Sequence, residues 1–192
     1  MDSRARQPMI RHLPNLLSAL RLLAAPLAAW LILNAHDTAS LCVFAAAGAS
    51  DALDGFIARR WGFGSRFGAW LDPAADKLLM LLCFTALYNV HVMPLGLLAL
   101  VVGRDAAIAA GWVMVKLLHL PVRFEPLAIG KLSTLVQLLY VLLLLVLLAF
   151  NLEVPSLTNM AAWVCGLFTA LSGIGYAAIF LRVIFAGSRV AP

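Results

Sequence analysis

The chain alternates long apolar runs with short polar segments. A helix needs about 20 predominantly apolar residues to cross the hydrocarbon core of a bilayer, and six runs approach or exceed that length. The polar segments between the runs contain Pro, Gly, Asn and Asp, which commonly end helices. The pattern predicts an all-α, polytopic membrane protein with six transmembrane helices. The predicted spans lie near residues 14–34, 38–59, 69–90, 94–118, 128–150 and 158–186.

Composition and charge support this prediction. Hydrophobic residues make up 64% of the 192 residues and charged residues 12%, whereas about a quarter of a soluble domain is charged. Lys and Arg lie before the first span, around the second and fourth links, and near the carboxyl end, but the first, third and fifth links contain none. This asymmetry predicts that both termini are cytoplasmic. It also explains the net charge of +5 without a nucleic-acid partner.

Four of the nine acidic residues fall within 26 positions of the second and third predicted spans. Asp51 and Asp54 are i,i+3 neighbours, and Asp72 and Asp76 are i,i+4 neighbours, so each pair shares one helix face. The short cytoplasmic link makes the two helices antiparallel. Asp51 and Asp76 then lie about 12 Å from the link, and Asp54 and Asp72 lie about 6–8 Å from it. We expect four carboxylates around one point.

Clustered carboxylates repel one another unless cations join them. An all-oxygen cluster suits Mg²⁺, Mn²⁺ or Ca²⁺ rather than zinc, and two such cations could clamp a phosphoryl group. The alternative is a set of salt bridges to Arg59, Arg66 and Lys77. Small residues flank the acids and could admit a bulky substrate or serve helix packing. These are Gly55, Ala58, Gly64 and Gly68.

Written as a pattern, residues 51–76 read D-x2-D-G-x2-A-R-x8-G-x3-D-x3-D. This pattern resembles the complete signature of the CDP-alcohol phosphatidyltransferase family. The segment PNLLSALRLLAAP at 14–26 resembles the first span of that family. The resemblance implies a single membrane domain of this family over residues 1–192.

The resemblance also implies an activity and a set of site residues. The family transfers a substituted phosphate from a CDP-linked lipid to an alcohol and releases CMP. By matching position, two divalent cations, Mg²⁺ or Mn²⁺, would be held by Asp51, Asp54, Asp72 and Asp76. Asp76 would also deprotonate the acceptor hydroxyl. The nucleotide and diphosphate site would be shaped by Gly55, Ala58, Arg59 and Gly68.

The acceptor is predicted from shorter likenesses. RFGAWLDPAADK at 66–77 resembles the branch that makes phosphatidylglycerophosphate or cardiolipin. PLAIGKLSTLVQ at 126–137 and the Arg104–Asp105 pair resemble the CMP-forming cardiolipin synthases, whereas phosphatidylglycerophosphate synthases tend to carry Arg-Glu there. Phosphatidylglycerol is therefore the predicted acceptor and glycerol 3-phosphate the alternative. Candidates to bind the acceptor phosphate are Arg104, Arg123 and Lys131, although membrane anchoring explains the last two equally well.

Other features bear on partners and location. Arg21, Arg104 and Asp105 lie too deep in predicted spans to reach the interface, which predicts a polar cavity open to the cytoplasm. Asn15 and Arg21 are less favoured candidates for substrate binding. Gly173 and Gly175 predict helix packing and a possible homodimer. CDP-diacylglycerol and membrane lipid are the other expected partners, in a bacterial inner membrane with the site facing the cytoplasm.

The strongest interpretation outside enzymes is a small cation transporter, because intramembrane acids also mark ion pathways. Transporters often contain internal repeats with broken helices in both halves. The sequence has no evident internal repeat. The acidic signature therefore favours phosphatidyl transfer.

Overall fold

The computed structural model describes the backbone of residues 7–61, 68–117 and 127–187, and the side chains of residues 19–50, 73–117 and 127–182. Every regular element in these ranges is an α-helix, which confirms the all-α prediction. The six helices are α1 (Gln7–Leu33), α2 (Asp37–Trp61), α3 (Gly68–Asn89), α4 (Leu95–Leu117), α5 (Ala128–Ala149) and α6 (Pro155–Gly187). Most ends lie within three residues of the predicted spans, but α1 begins at Gln7 rather than near residue 14.

Three helices in the described ranges are long and apolar enough to cross a membrane, and they have mean hydropathies of 1.7, 2.6 and 1.9. These spans are Leu95–Leu117, Ala128–Ala149 and Pro155–Arg182. A shorter apolar helical segment covers Ala19–Leu33. The apolar helices indicate a membrane protein. The count of six spans and the cytoplasmic termini remain predictions.

The described chain falls into two compact units. The first contains α1, α2, α3 and the part of α5 from Val141 onward. Within it, α1 packs against both α2 and α3. One face of α1 is buried along Arg21, Ala25, Ala28 and Ile32, at the i, i+4, i+7, i+11 spacing of a helix stripe. The small side chains on this stripe let neighbouring helix backbones approach closely.

The second unit contains α4, α6 and the part of α5 up to Tyr140. Helix α4 packs against α6, and α5 approaches α6 near its own first turn. A Cβ added at Gly130 of α5 would lie 2.8 Å from the hydroxyl oxygen of Tyr176. Gly130 therefore permits a contact that a larger residue would obstruct. The single domain expected from the sequence stays a prediction.

Three helices end in the same hydrogen-bonded motif. After α1, the amide of His36 donates to the carbonyl of Leu31 at 2.9 Å and that of Ala35 to Ile32 at 3.2 Å. This pair of bonds defines a Schellman cap, in which one residue adopts a left-handed conformation. Helices α3 and α5 end in the same way. Glycine usually occupies the left-handed position, but here the residues are Ala35, His91 and Asn151, with φ of 55°, 61° and 50°.

We expect Ala35→Gly to stabilise the protein. A residue with a Cβ costs about 1–2 kcal/mol in the left-handed conformation, and glycine avoids this cost. Glycine loses more conformational freedom on folding, which offsets part of the gain. The free energy of unfolding should rise by about 0.5–1 kcal/mol, measured in detergent micelles. Asn151→Gly is the matched control and should have a smaller effect, because asparagine tolerates this conformation. A loss of stability in Ala35→Gly would contradict the assignment of strain to this cap.

Candidate functional site

An ion pair between a buried arginine and a partly accessible aspartate joins the first and third helices. Nη1 of Arg21 on α1 donates to Oδ1 of Asp76 on α3 at 2.8 Å. The Arg21 side chain is fully enclosed, whereas 42% of the Asp76 side chain is accessible. A buried charge is costly unless it is paired and hydrogen-bonded. The sequence marked Arg21 as too deep for the interface, and the structure identifies Asp76 as one of its partners.

The backbone places the four acids on the two helices that were predicted to carry them. Asp51 and Asp54 belong to α2, and Asp72 and Asp76 belong to α3. Helix α1 packs against both of these helices, so the element that supplies Arg21 is shared by them. The side chains of Asp51, Asp54 and Asp72 lie outside the described residues. Their convergence on one point therefore remains a prediction.

The donor chemistry of this set fits the cations that the sequence implies. Carboxylate oxygens are the ligands that Mg²⁺ and Mn²⁺ prefer. Asp76, the member with a described side chain, is accessible enough to meet a ligand. Among the described side chains, no group of three or more His, Cys, Asp or Glu could hold a metal ion. That finding does not cover Asp51, Asp54 and Asp72, whose side chains lie outside the described residues.

Other predicted site residues fall wholly or partly outside the described part of the chain. Gly55, Ala58 and Arg59 lie on α2 and Gly68 begins α3, but their surroundings are not described. Arg123 falls in residues 118–126, which lie outside the described residues. Their proposed contacts with the nucleotide or the acceptor therefore stay predictions.

The second unit contains a buried arginine with a different set of partners. Nε and Nη2 of Arg104 donate to the hydroxyl oxygen of Ser172 at 3.1 and 2.6 Å. Nη1 donates to Oδ1 of the neighbouring Asp105 at 2.6 Å. The guanidinium also lies 5.7 Å from the centroid of the Tyr176 ring, within the range of a cation–π interaction. Arg104 is thus tightly fixed between α4 and α6.

The polar residues of α6 that include the partners of Arg104 were not predicted from the sequence. Thr169, Ser172 and Tyr176 follow one another at i, i+3 and i+7 on α6, so they form a polar stripe in an apolar helix. Thr169 accepts a hydrogen bond of 3.0 Å from Nε2 of Gln137 on α5. The i, i+3, i+7 spacing was readable from the sequence and would have identified the stripe.

A cavity of about 330 Å³ is lined by residues of α4, among them Arg104, and by residues of α6. Its walls include Ala107 and Gly111 from α4, and Ala177 and Phe180 from α6. The sequence predicted a polar cavity around the deep charges, but the lining here is almost entirely apolar. The polar groups of Arg104 are turned towards Ser172 and Asp105 instead.

The remaining candidate, Lys131, is exposed in the first turn of α5. Lys116 lies in the last turn of α4, with its ammonium 3.7 Å from the centroid of the Trp112 ring. That contact is typical of a residue that anchors a helix at a membrane interface. Lys131 has no such aromatic contact among the described residues.

Residues 11–181 match the protein-family model described as CDP-alcohol phosphatidyltransferase. The chain belongs to this family. The match covers all four acids as well as Arg21 and Arg104. Enzymes of the CDP-alcohol phosphatidyltransferase family generally use divalent metal ions, which agrees with the carboxylate donor set.

The chain is similar to relatives named as cardiolipin synthases and to one named as a phosphatidylglycerophosphate synthase. Cardiolipin synthase (CMP-forming) of Rattus norvegicus is 35% identical over 181 residues, which cover 85% of this chain and 60% of the relative. The cardiolipin synthase (CMP-forming) / mitochondrial hydrolase fusion protein of Schizosaccharomyces pombe is 35% identical over 179 residues, which cover 85% of this chain and 30% of the relative. The probable phosphatidylglycerophosphate synthase of Mycobacterium tuberculosis is 31% identical over 185 residues, which cover 93% of this chain and 86% of the relative.

The chain therefore spans 60% and 30% of the length of the first two relatives. All three similarities extend over most of this chain. The relatives carry names that imply different acceptors, so the similarity does not decide between phosphatidylglycerol and glycerol 3-phosphate.

We expect Ser172→Ala to destabilise this phosphatidyltransferase family member. The substitution leaves two guanidinium N–H groups of buried Arg104 without their acceptor, which costs about 1–3 kcal/mol. Ser133→Ala is the matched control, because Ser133 is also fully buried but meets only the neutral amide of Gln137 at 3.4 Å. Its cost should stay below about 1 kcal/mol. Equal losses in the free energy of unfolding would show that Ser172 does not support Arg104 in this way.

Proposed function

We propose that the protein transfers a phosphatidyl group from CDP-diacylglycerol to a glycerol-type acceptor and releases CMP. The observation that carries this proposal is the complete acidic signature, Asp51 to Asp76, on α2 and α3 within a family match over residues 11–181. Membership of an enzyme family favours this activity over a small cation transporter, which would need the acids for ion passage and would release no CMP.

Asp76 has one more role than the other three acids in this proposal. Asp51, Asp54, Asp72 and Asp76 would hold two divalent cations, Mg²⁺ or Mn²⁺. When bound, these cations supply positive charge that neutralises the diphosphate and the departing CMP. Asp76 also accepts the proton of the acceptor hydroxyl, and its accessible side chain is suited to that contact. Gly55, Ala58, Arg59 and Gly68 shape the site for the nucleotide and its diphosphate.

Phosphatidylglycerol is the proposed acceptor, which would make cardiolipin the product. Its single phosphodiester carries less charge than the phosphate of glycerol 3-phosphate, and its acyl chains need an apolar surface. Support comes from the Arg104–Asp105 pair and the segment PLAIGKLSTLVQ, which resemble the CMP-forming cardiolipin synthases. Arg104 also helps to line an apolar cavity of the second unit, where its guanidinium donates to Ser172 and Asp105. Lys131 and Arg123 are the other cations proposed to meet the acceptor phosphate. Glycerol 3-phosphate is the alternative acceptor, in keeping with the name of the mycobacterial relative.

The proposed location is a bacterial inner membrane with the active site facing the cytoplasm, where the water-soluble CMP would be released. The apolar helices support a membrane location, and the distribution of Lys and Arg supports the orientation. A homodimer through α6 is a further proposal. A Cβ added at Gly173 would lie 3.7 Å from the side chain of Arg104, and one added at Gly175 would lie 3.2 Å from that of Leu127. Both glycines therefore pack within their own protomer, and the dimer rests on the sequence pattern alone.

We expect EDTA to abolish CMP release and excess Mg²⁺ or Mn²⁺ to restore it, because the cations are proposed to neutralise the diphosphate and to offset the repulsion among the carboxylates. Asp51→Asn, Asp54→Asn and Asp72→Asn should weaken both metal binding and turnover. Asp76→Asn should lose turnover by a larger factor than it loses affinity for metal or CDP-lipid. The measurements are CMP release and direct binding of Mn²⁺.

Ser40→Ala is a suitable control for these variants. Ser40 is also in the first unit and is fully buried, but its hydroxyl donates to the carbonyl of Asp37 at the opposite end of α2. It should keep its metal dependence unchanged. Full activity in EDTA would refute the role of the cations, and a near-wild-type rate in Asp76→Asn would refute its role as the base.

We expect the wild-type protein to convert phosphatidylglycerol faster than glycerol 3-phosphate, with cardiolipin identified by thin-layer chromatography. Arg104→Ala and Lys131→Ala should lower turnover, because each removes a cation proposed to meet the acceptor phosphate. Lys116→Ala is the matched control, since Lys116 is held over Trp112 and is expected to anchor α4. If phosphatidylglycerophosphate is the product and cardiolipin is absent, glycerol 3-phosphate is the acceptor.

A further inference from the structure

The ion pair between Arg21 and Asp76 is strongly asymmetric in its burial. None of the Arg21 side chain is accessible, whereas 42% of the Asp76 side chain is. A substrate cannot reach a guanidinium that the protein encloses completely. Arg21 is therefore unsuited to bind a substrate directly and can influence the reaction only through the groups it holds.

The packing of α1 fixes the position of that guanidinium. Arg21 begins the buried stripe that continues through Ala25 and Ala28, and both alanines have no accessible surface. On the facing helix α3, Ala75 precedes Asp76 and is also fully buried. Small residues on both helices allow a close approach. The arginine is thus ordered when the protein folds, before any ligand binds.

We infer that Arg21 is a positioning residue for Asp76. Its Nη1–Oδ1 hydrogen bond of 2.8 Å holds the carboxylate so that the accessible part of the side chain is presented to a cation or to the acceptor hydroxyl. This inference rests on the role of Asp76 proposed above. A planar guanidinium fixes the direction of such a bond, whereas the ammonium of lysine is a point charge on a flexible stem.

The test compares Arg21→Met and Arg21→Lys in the full chain, each alone and combined with Asp76→Asn. Removing a group that orients a metal ligand typically lowers metal affinity or activity about 10–100-fold. Arg21→Met should lower the affinity for Mn²⁺, measured by calorimetry, and kcat within that range. Arg21→Lys should recover part of each loss, and KM for CDP-diacylglycerol should stay within about 3-fold, since Arg21 does not touch the substrate.

The combined variants decide whether Arg21 acts through Asp76. If it does, Arg21→Met should change neither Mn²⁺ affinity nor kcat by more than about 2-fold once Asp76 is Asn, because the effects of coupled residues are not additive. Fully additive losses would overturn the inference. A rise in KM with an unchanged kcat would overturn it too, since it would make Arg21 a substrate ligand.

Ile32→Ala controls for a general loss of packing, because Ile32 lies on the same buried stripe of α1. It should lower the thermal unfolding midpoint and leave Mn²⁺ affinity unchanged. If Arg21→Met lowers Mn²⁺ affinity no more than Ile32→Ala does, Arg21 is merely structural and the inference is wrong. Should Arg21→Met not fold, Arg21→Lys is compared with Ile32→Ala under the same criterion.

Binding of Mn²⁺ requires no turnover, so the inference and the proposed reaction can fail separately. A wild-type protein that releases no CMP, but whose Mn²⁺ affinity depends on Arg21, would refute the reaction and support the positioning role. CMP release that is unaffected by Arg21→Met would support the reaction and refute the positioning role.

Discussion

The hydrogen-bonded ion pair of Arg21 and Asp76 lies in the first unit, where the Arg21 side chain is fully enclosed. A buried charge is costly unless it is paired and hydrogen-bonded. Because α1 supplies the arginine and α3 the aspartate, the bond favours one rotation and one axial position of α1 relative to α3. Helix α1 also packs against α2. The two helices that carry the acidic signature therefore share one supporting helix.

The second unit compensates its buried arginine in another way. Asp105 is the next residue after Arg104, so their ion pair is local and places no constraint on the fold. Ser172 lies 68 residues away and connects α4 to α6. Hydrogen bonds between membrane helices contribute about 0.6 kcal/mol on average. Those around Arg104 fix which faces of α4 and α6 meet, and they cost more to lose than this average because the donor is a buried charged group.

The sequence was most informative where local physics decides the structure. Helix limits followed from apolar runs, because long apolar segments must satisfy their backbone hydrogen bonds internally. The start of α1 at Gln7 was missed, since residues 7–13 contain Pro8 and interrupt the apolar run with Arg11 and His12. The three left-handed caps were missed for a related reason: none contains the glycine that usually marks them.

Partners of buried charges were much harder to derive. The depth of Arg21 predicted that it needed compensation, but Asp76 is 55 residues away and on a helix that is not its neighbour in sequence. Which face of α1 meets α3 depends on packing along the whole helix, which no local pattern reports. The acids could be matched in depth only because a short link joins the helices that carry them.

The unequal burial of Arg21 and Asp76 also bears on why the pair exists. Two opposite charges attract most strongly when both are removed from water, because the effective dielectric is then lowest. Burying the carboxylate as completely as the guanidinium would also remove its hydration, and that penalty can exceed the gain in attraction. With 42% of the Asp76 side chain accessible, the carboxylate keeps part of its hydration while it compensates the enclosed guanidinium. The same exposure is what a second positive charge or a hydroxyl needs if it is to reach the carboxylate.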